Sequence, residues 1–418
     1  MKNFIFGILI LGFITSCSKF PGPSIGLVSG YLFYKNGSEQ RAMAGEFLKD
    51  SILLQVNGQV NMPAGMRVEF SILTGGGELT KPVTILDQSG IAYTNWKLGF
   101  ESNQQIVKAS VYDINGIFLS STYFIEYAFR PNAWDTVKAY PDANMWDLVA
   151  DTINNLTFMV SGGQLYKQSG KYYEWEAVNS NQFGGLSSVE IDSHSYLYVN
   201  NPGGDVYLSK DKGYSWNKCN RPFPNDFSYT FMFVSNNDWV WVSTADHMLA
   251  YSKDEGNTWT DASSGLSEGD RLGEIYRHPD GTLFFRTMNY RLYKSENEGK
   301  SWSPIISQDN VYELLMTSAG ELLIYSFNGV HRIMKSTDKG EHFEDIYMTT
   351  SNLWTSNVFH YFKGTYYLLI AGKGIIRTKD LINFEEYLDI NDLNDLFIDH
   401  NGVFIGKGLN SVYYRHNL

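Results

Sequence analysis

Cysteine, proline and positive charge are all scarce in this chain. Its 418 residues include two cysteines, Cys17 and Cys219, and 11 prolines. If Cys17 is consumed by the modification described below, Cys219 has no partner and an intrachain disulfide is excluded. The 33 Lys and Arg residues stand against 45 Asp and Glu, so the formal net charge is −12. Such a chain lacks the clustered cations that bind nucleic-acid phosphates, so no nucleic-acid partner is expected.

Aromatic residues and glycine are abundant instead. Phe, Trp and Tyr make up 15% of the chain, glycine occurs 38 times, and 43% of residues are hydrophobic. This composition supplies enough apolar material for a core and excludes general disorder. Aromatic-rich segments separated by glycine turns predict many short strands, and therefore an all-β fold.

The first 17 residues look like an export signal. A basic start, Met1-Lys2-Asn3, precedes an apolar run from Phe4 to Ile14, which is too short for a stable membrane span. The run ends in Ile14-Thr15-Ser16-Cys17, which resembles a bacterial lipobox. The resemblance implies cleavage before Cys17 and lipidation of Cys17, giving a cell-envelope lipoprotein, with Ser18 compatible with outer-membrane delivery. An ordinary secretory signal is the alternative.

One motif, S-x-D-x-G-x-x-W, recurs in the second half of the chain. Three copies are close to perfect, a fourth ends in Phe, and a fifth, at 378–384, is shorter and lacks the glycine. The four clear copies place their motif residues at Ser209, Asp211, Gly213 and Trp216; Ser252, Asp254, Gly256 and Trp259; Ser295, Asn297, Gly299 and Trp302; and Ser336, Asp338, Gly340 and Phe343. The repeat resembles the Asp-box, or bacterial neuraminidase repeat, of β-propellers.

In that family the box closes the hairpin between the third and fourth strands of a blade. The Asp and Ser side chains can accept hydrogen bonds from backbone N–H groups of the turn, glycine permits a positive φ, and the aromatic residue packs between sheets. The repeated residues are therefore expected to be structural rather than catalytic or calcium-binding.

The spacing of the repeat predicts the number of blades. The aromatic anchors are 41 to 43 residues apart, and two further steps back reach Trp175 and Trp134. After Phe384 the chain supplies only three strands, so the segment around Trp134 is expected to add the fourth and close a ring of seven blades over residues 129–418. A six-bladed propeller is the alternative.

A smaller β domain is expected before the propeller. Residues 18–44 are interpreted as a tether and first strand. Alternating strands at 45–128, with Val68-x-Phe70 and Trp96-x-Leu98-Gly99 among the motif residues, resemble bacterial Ig-like domains of the invasin and intimin kind. The resemblance implies an N-terminal Ig-like β-sandwich that acts as a spacer.

In Asp-box propellers the face opposite the boxes carries the longer loops, and binding residues are sought there. Aromatic residues beside Arg, Asn and Asp suit a glycan or an anionic ligand through stacking and hydrogen bonds. Ordinary solvated loops remain the alternative. The candidates on this face are Arg221, Phe223, His247, Arg271, Tyr290, Arg291, His331 and Trp354.

Two related families suggest different functions. Sialidases bind the substrate carboxylate through arginines, and Phe129-Arg130-Pro131 is the segment most like their Phe-Arg-Ile-Pro motif, without the Ile. The chain also resembles the seven-bladed Asp-box propellers of photosystem II assembly factors, which bind proteins and do not catalyse a reaction. The leading expectation is a non-catalytic envelope lipoprotein that binds a glycan or a protein; the alternative is an exo-sialidase or other glycoside hydrolase. The eight His residues occur at no metal-ligand spacing, so no metal and no cofactor are expected.

Overall fold

The fold consists of β-strands. The structure, a computed structural model, describes residues 26–28, 31–58, 64–131, 133–137, 145–168, 175–178, 183–223, 231–244, 248–305, 310–350, 358–370, 373–388, 393–408 and 412–415. All regular secondary structure in these ranges is β-strand, which confirms the all-β prediction. Within them no helix could span a membrane. The chain forms two compact units, Met1–Ala128 and Phe129–Leu418.

The first unit contains a four-stranded sheet of order β1-β2-β4-β8, a five-stranded sheet of order β3-β11-β10-β5-β7, and the pair β6-β9. Residues from both larger sheets share one core, which includes Leu54, Val68, Trp96 and Val107. The strands are β1 Gly26–Val28, β2 Tyr31–Asn36, β3 Arg41–Met43, β4 Ile52–Gly58, β5 Arg67–Thr74, β6 Gly77–Leu79, β7 Val83–Ile85, β8 Ile91–Thr94, β9 Trp96–Leu98, β10 Gln104–Tyr112 and β11 Phe118–Phe129.

In the described part of the second unit, 28 strands form seven four-stranded antiparallel sheets. Six sheets use four consecutive strands. These are β13 Met145–Asp151, β14 Leu156–Ser161, β15 Gln164–Gln168 and β16 Trp175–Ala177; β17 Ser188–Ile191, β18 Leu197–Asn200, β19 Val206–Ser209 and β20 Asn217–Lys218; β21 Phe231–Val234, β22 Val240–Ser243, β23 Leu249–Ser252 and β24 Thr260–Asp261; β25 Leu272–Arg277, β26 Leu283–Thr287, β27 Leu292–Ser295 and β28 Ser303–Pro304; β29 Asn310–Met316, β30 Leu322–Phe327, β31 His331–Ser336 and β32 Glu344–Thr349; and β33 Phe359–Phe362, β34 Thr365–Ile370, β35 Gly374–Thr378 and β36 Glu385–Leu388.

The last sheet joins strands from opposite ends of the unit. It contains β37 Leu393–Ile398, β38 Phe404–Gly408 and β39 Val412–Arg415, together with β12 Asp135–Val137. The order is β12-β39-β38-β37, and Asp135 lies opposite Tyr414 in the antiparallel register. The segment beside Trp134 thus provides the outer strand of the last sheet.

Burial follows the position of a strand in its sheet. Middle strands such as β18 and β22 are buried along their whole length, whereas the fourth strands β20, β24 and β28 are exposed. Strands that are covered on both faces must be apolar throughout, which explains runs such as Val240-Trp241-Val242. Neighbouring sheets therefore pack face to face, and hydrophobic clusters join each successive pair of sheets.

The last sheet also contacts the first. Thr157 at the start of β14 is 2.7 Å from Nδ1 of His400, in the turn after β37. The Lys407 ammonium on β38 donates to the Met145 carbonyl oxygen on β13 at 2.9 Å. These polar contacts tie the beginning of the second unit to its end.

Candidate binding site

The repeated motif forms the turn between the third and fourth strands of five sheets. In the first copy the Ser209 hydroxyl donates to Asp211 Oδ1 at 2.8 Å and accepts from the Gly213 N–H at 2.9 Å. Asp211 Oδ1 also accepts from the Ser215 N–H at 2.8 Å. Gly213 has a φ of +86°, a conformation that costs glycine little. The polar side chains therefore hold the turn together.

The other copies repeat these contacts with small changes. The Gly256, Gly299 and Gly340 N–H groups donate to the serine at the start of their own motif at 2.8 to 3.0 Å. In the shorter fifth copy the Leu381 N–H replaces the glycine N–H. Hydrogen bonds from Ser215 and Thr258 hold the pKa values of Asp211 and Asp254 below the ordinary Asp value. These carboxylates are occupied within their turns, so their role is structural.

The opposite end of the sheets carries the candidate ligand-binding residues. Successive strands are antiparallel, so the β26–β27 turn lies at the end opposite the β27–β28 repeat turn. The Met288 N–H donates to the Arg271 carbonyl oxygen at 3.0 Å, which joins this turn to the loop before β25. Arg291 Nη1 is 3.2 Å from Asp270 Oδ1 in the same loop. We call Asp270, Arg271, Met288, Tyr290 and Arg291 the Tyr290 patch.

Tyr290 is exposed and fixed at the same time. The residue is 42% exposed, and its ring packs against Tyr312, with centroids 4.3 Å apart. Its backbone has a φ of +66°, which is uncommon for a residue with a side chain. The Tyr290 N–H donates to the Thr287 carbonyl at 2.9 Å, and the Tyr290 carbonyl accepts from the Val311 N–H at 3.0 Å. A ligand would meet an aromatic ring that loses little conformational entropy on binding.

Asp270 is the buried residue of the Tyr290 patch. The Asp270 side chain has no exposed surface, whereas half of the Arg291 side chain is exposed. Asp270 Oδ2 accepts from the Tyr293 hydroxyl at 2.7 Å and from the Ser267 N–H at 2.8 Å. Asp270 thus fixes the loop, and Arg291 keeps surface that a ligand can contact.

The interpretation of His331 as a surface binding residue needs correction. His331 is 3% exposed, and its Nδ1 shares a 2.6 Å hydrogen bond with the Tyr325 hydroxyl. The Tyr325 ring is 6.1 Å from Tyr312, which in turn supports Tyr290. His331 therefore belongs to the buried aromatic layer behind the patch. The sequence pattern did not predict this burial, because the residues beside a turn do not indicate whether a histidine side chain points into the core or toward solvent.

The remaining candidates do not join the Tyr290 patch. Arg221 Nε donates to Asp205 Oδ1 at 2.8 Å, and its Nη2 donates to the Gly203 carbonyl at 2.9 Å. Phe223 packs against the core shared by the sheets β17–β20 and β21–β24. Both residues hold a loop in place. His247 and Trp354 lie outside the described residues.

Sequence reasoning missed a group of carboxylates on the first strands of the sheets. Asp147 on β13 accepts from the Val189 N–H on β17 at 3.0 Å. Glu313 on β29 accepts from the Phe359 N–H on β33 at 3.0 Å. Glu190 on β17 likewise accepts from the Val234 N–H on β21. Each first strand is a sheet edge with unpaired N–H groups, so a carboxylate from the preceding sheet satisfies them.

These carboxylates influence one another. Glu274 on β25 forms an ion pair with Arg286 on β26. Burial, and secondarily the charge of Glu274, raises the pKa of Glu313 to about 8. Burial raises the pKa of Asp147 to about 6, and it raises the pKa of Glu190 well above the ordinary Glu value. At neutral pH the Glu313 carboxyl therefore retains its proton in the folded protein.

A local pattern could have revealed this group. A β-bulge precedes the acid in three first strands, at Met145-x-Asp147, Leu272-x-Glu274 and Val311-x-Glu313. An apolar residue two positions before an acid, at the start of a predicted first strand, is the corresponding sequence signal. The same bulge occurs at Leu393-x-Asp395 in the last sheet.

Comparison with known proteins identifies the fold of the second unit. Residues 225–368 match the DUF6242 beta propeller domain family. The chain is similar to YCF48 bound to D1 peptide, at 14% identity and a TM-score of 0.50, over 69% of this chain and 97% of that one. It is also similar to a catalytically inactive virginiamycin B lyase from Staphylococcus aureus with Quinupristin, at 13% identity and a TM-score of 0.50, over 68% and 98%.

A third similarity extends over both units. The extracellular domain of BT4673 from Bacteroides thetaiotaomicron shares 12% identity with the chain at a TM-score of 0.51, over 93% of this chain and 55% of that one. None of the curated proteins matches the chain. At these identities the similarities carry the fold and no more: the second unit is a β-propeller.

Proposed function

We propose that this protein is a non-catalytic binding protein that recognises a protein partner through the Tyr290 patch. The observation that carries the proposal is the rigid, half-exposed Tyr290 ring beside the exposed Arg291 side chain. Tyr, Arg and Met are enriched at the centres of protein interfaces, and rigid aromatic anchors contribute most of the binding energy there. YCF48, whose structure contains a bound D1 peptide, gives an example of a similarly folded protein with a peptide partner.

The proposal is tested by binding of envelope proteins to the purified chain. We expect Tyr290→Ala to weaken capture of the partner about tenfold or more, because a central aromatic anchor is lost. The matched control is Tyr214→Ala, which removes a more exposed tyrosine from a repeat turn at the other end of the sheets. Equal binding by wild type and Tyr290→Ala would contradict the proposal. Capture on a glycan array that is lost in Tyr290→Ala would replace the protein partner with a glycan.

We further infer a finer architecture for the two units. The seven sheets of the second unit act as seven blades of one ring, which β12 closes, and the repeated turns are Asp boxes. The two larger sheets of the first unit form an Ig-like sandwich that serves as a spacer, and this sandwich begins earlier than the expected 45–128, because β1, β2 and β3 at residues 26–43 belong to the two sheets. The shared hydrophobic clusters and the β12–β39 pairing support this interpretation.

We also propose that the chain is a lipoprotein anchored in the outer membrane through Cys17. The Ile14-Thr15-Ser16-Cys17 segment motivates this proposal. In the expressing bacterium, Cys17→Ser should release the protein from the membrane fraction, because the acyl chains would be absent. A substituted protein that sediments with membranes as wild type does would exclude this anchor.

A glycoside hydrolase is the second candidate function, because the carboxyls of Glu274 and Glu313 influence each other. Among glycoside hydrolases, a sialidase is the less favoured type. Glu313, with its raised pKa, could donate a proton while Glu274, which is paired with Arg286, acts as the second carboxylate. The group carries one arginine, Arg286, already paired with Glu274, and its negative charge disfavours the sialic acid carboxylate. We expect no release of fluorophore from aryl sialosides or neutral aryl glycosides between about pH 4 and 8. Turnover that is lost in Glu313→Gln would make the protein an enzyme.

A further inference from the structure

Three metal-ligating side chains meet where two neighbouring turns touch. Asp192 and His194 lie in the β17–β18 turn, and Asp238 lies in the β21–β22 turn. His194 Nδ1 is 3.8 Å from Asp192 Oδ2 and 3.6 Å from Asp238 Oδ2. One ligand atom from each residue lies within 4.8 Å of the other two. Two sheets thus contribute to a single cluster, at the end that also carries the repeat turns.

Hydrogen bonds fix both turns. Asp192 Oδ1 accepts from the N–H groups of His194 at 2.9 Å and Tyr196 at 2.8 Å. Asp238 Oδ1 accepts from the Ser193 N–H at 2.8 Å, and Asp238 Oδ2 accepts from the Ser193 hydroxyl at 2.6 Å. The cluster is therefore held in position before any ligand arrives, which lowers the entropic cost of binding.

The Asp192 carboxylate is the strongest pointer to a ligand. Its side chain is 3% exposed, and within the described ranges its Oδ2 has no hydrogen-bond partner and faces the His194 ring. A carboxylate on a side chain buried to this extent has a desolvation cost, which a cation would offset. The His194 side chain is 63% exposed, so an ion can reach the cluster from solvent.

We propose that Asp192, His194 and Asp238 bind one divalent transition-metal ion, with zinc as the best fit. One imidazole and two carboxylates suit zinc, whereas calcium needs six to eight oxygen ligands. Ligand distances of about 2.0–2.2 Å in a tetrahedral site place neighbouring ligand atoms about 3.4 Å apart. The two separations from His194 Nδ1 exceed this by a few tenths of an ångström, and all three ligand atoms lie within 4.8 Å of one another, so side-chain rotations complete the site. The fourth position is open to water or to the Ser193 hydroxyl.

The local charges agree with a bound cation. The nearby Lys210 ammonium does not take the place of the ion, because it pairs with Glu255 at 2.5 Å. A metal here joins two sheets, so its role is to stabilise the propeller and not to catalyse a reaction. Spacing along the sequence did not predict this site, because the third ligand comes from the next sheet.

Zinc titration of metal-free full-length protein at pH 7 tests the proposal. We expect saturable binding of one ion by calorimetry and a rise of about 3 °C or more in the melting temperature at saturating zinc. His194→Ala and Asp238→Asn should each abolish both effects, and circular dichroism should verify that they remain folded. Asp238→Asn keeps an oxygen that can accept from the Ser193 N–H.

His342→Ala is the matched control, because His342 contacts Asp338 of its own turn at 2.7 Å on an exposed surface. It should bind zinc as wild type does. The competing arrangement is a protonated His194 that bridges the two carboxylates without metal. In that case zinc has no effect on the melting temperature, and this result would overturn the proposal. Zinc binding that survives both His194→Ala and Asp238→Asn would overturn it as well.

Discussion

Arg130 is bound to Asp135, the first residue of β12. Arg130 Nε and Nη2 both donate to Asp135 Oδ1, at 2.9 and 2.6 Å, and the Arg130 N–H donates to Oδ2 at 2.5 Å. The Asp135 side chain is 1% exposed. The arginine that most resembles a sialidase carboxylate-binding residue is therefore engaged in holding the strand that completes the last sheet.

Arg130→Ala should destabilise the second unit by about 1.5–3 kcal/mol, because it leaves the buried Asp135 carboxylate without its charged donor. Chemical denaturation measures this change. Arg67→Ala is the control, since Arg67 pairs with Glu69 on an exposed strand face, and such pairs contribute little. Equal destabilisation by the two variants would mean that Arg130 is an ordinary surface residue.

Removal of β12 should have a larger effect than removal of the first unit. A chain that begins at Asp142 leaves β39 with an unpaired edge, whereas a chain that begins at Phe129 keeps the β12–β39 pairing. We expect the shorter chain to melt about 10 °C lower or to aggregate, since several kcal/mol of pairing and packing are lost. Identical melting temperatures for the two chains would contradict the closing role of β12.

Asp211→Ala and Asp254→Ala should each lower the free energy of unfolding by about 1–3 kcal/mol, through lost hydrogen bonds within the turn. Partner binding should persist at temperatures where the fold remains, because these turns lie at the end opposite the Tyr290 patch. Thermal melts and binding assays on the same samples check both parts. Lys210→Ala, which removes an exposed ion pair with Glu255 and a contact with the Tyr196 ring, should change the melting temperature little. Binding that disappears with an unchanged melting temperature would reverse the assignment of the two ends.

Stability should fall as the pH rises through the range where the buried carboxyls titrate. Between the ordinary Glu pKa of 4.5 and the value of about 8 for Glu313, the folded state retains a proton that the unfolded state has released. Raising the pH across this window therefore lowers the free energy of unfolding. Glu190→Gln removes one of these buried acids, so it should gain stability relative to wild type between pH 5 and 8. Urea midpoints measured across this pH range give the difference in stability between each variant and wild type. The exposed Glu344→Gln should show no difference. A plot of midpoint against pH for Glu190→Gln that runs parallel to that of wild type would contradict the electrostatic argument.

The repeat allowed much of the propeller to be predicted from the sequence. The motif copies expected to close the hairpin between the third and fourth strands of a sheet lie between β19 and β20, β23 and β24, β27 and β28, β31 and β32, and β35 and β36. The turn hydrogen bonds of Ser209 and Asp211 follow from the chemistry of a Ser-x-Asp turn. These features are local, so the residue pattern contains them.

The candidate site was less predictable because its contacts are not local. Tyr290 is fixed by Tyr312, and Arg291 by Asp270, which lie in other strands or loops. The prediction that His331 lies on the surface is wrong, because the sequence does not indicate which way a side chain at a strand end points. The Asp192, His194 and Asp238 cluster and the first-strand carboxylates join different sheets, and only the packing of those sheets brings them together.

Lys407 and Met145, which form a hydrogen bond, are 262 residues apart in the sequence. The paired strands β12 and β39 are also separated by nearly the whole second unit. During synthesis or export, β12 emerges early and cannot pair until nearly all of the second unit has followed it. The first and last sheets therefore stay open until then, with edge strands that can pair with other chains. An interruption late in translation would consequently release a product with most of its sheets formed and an open edge, which is a substrate for proteases and chaperones.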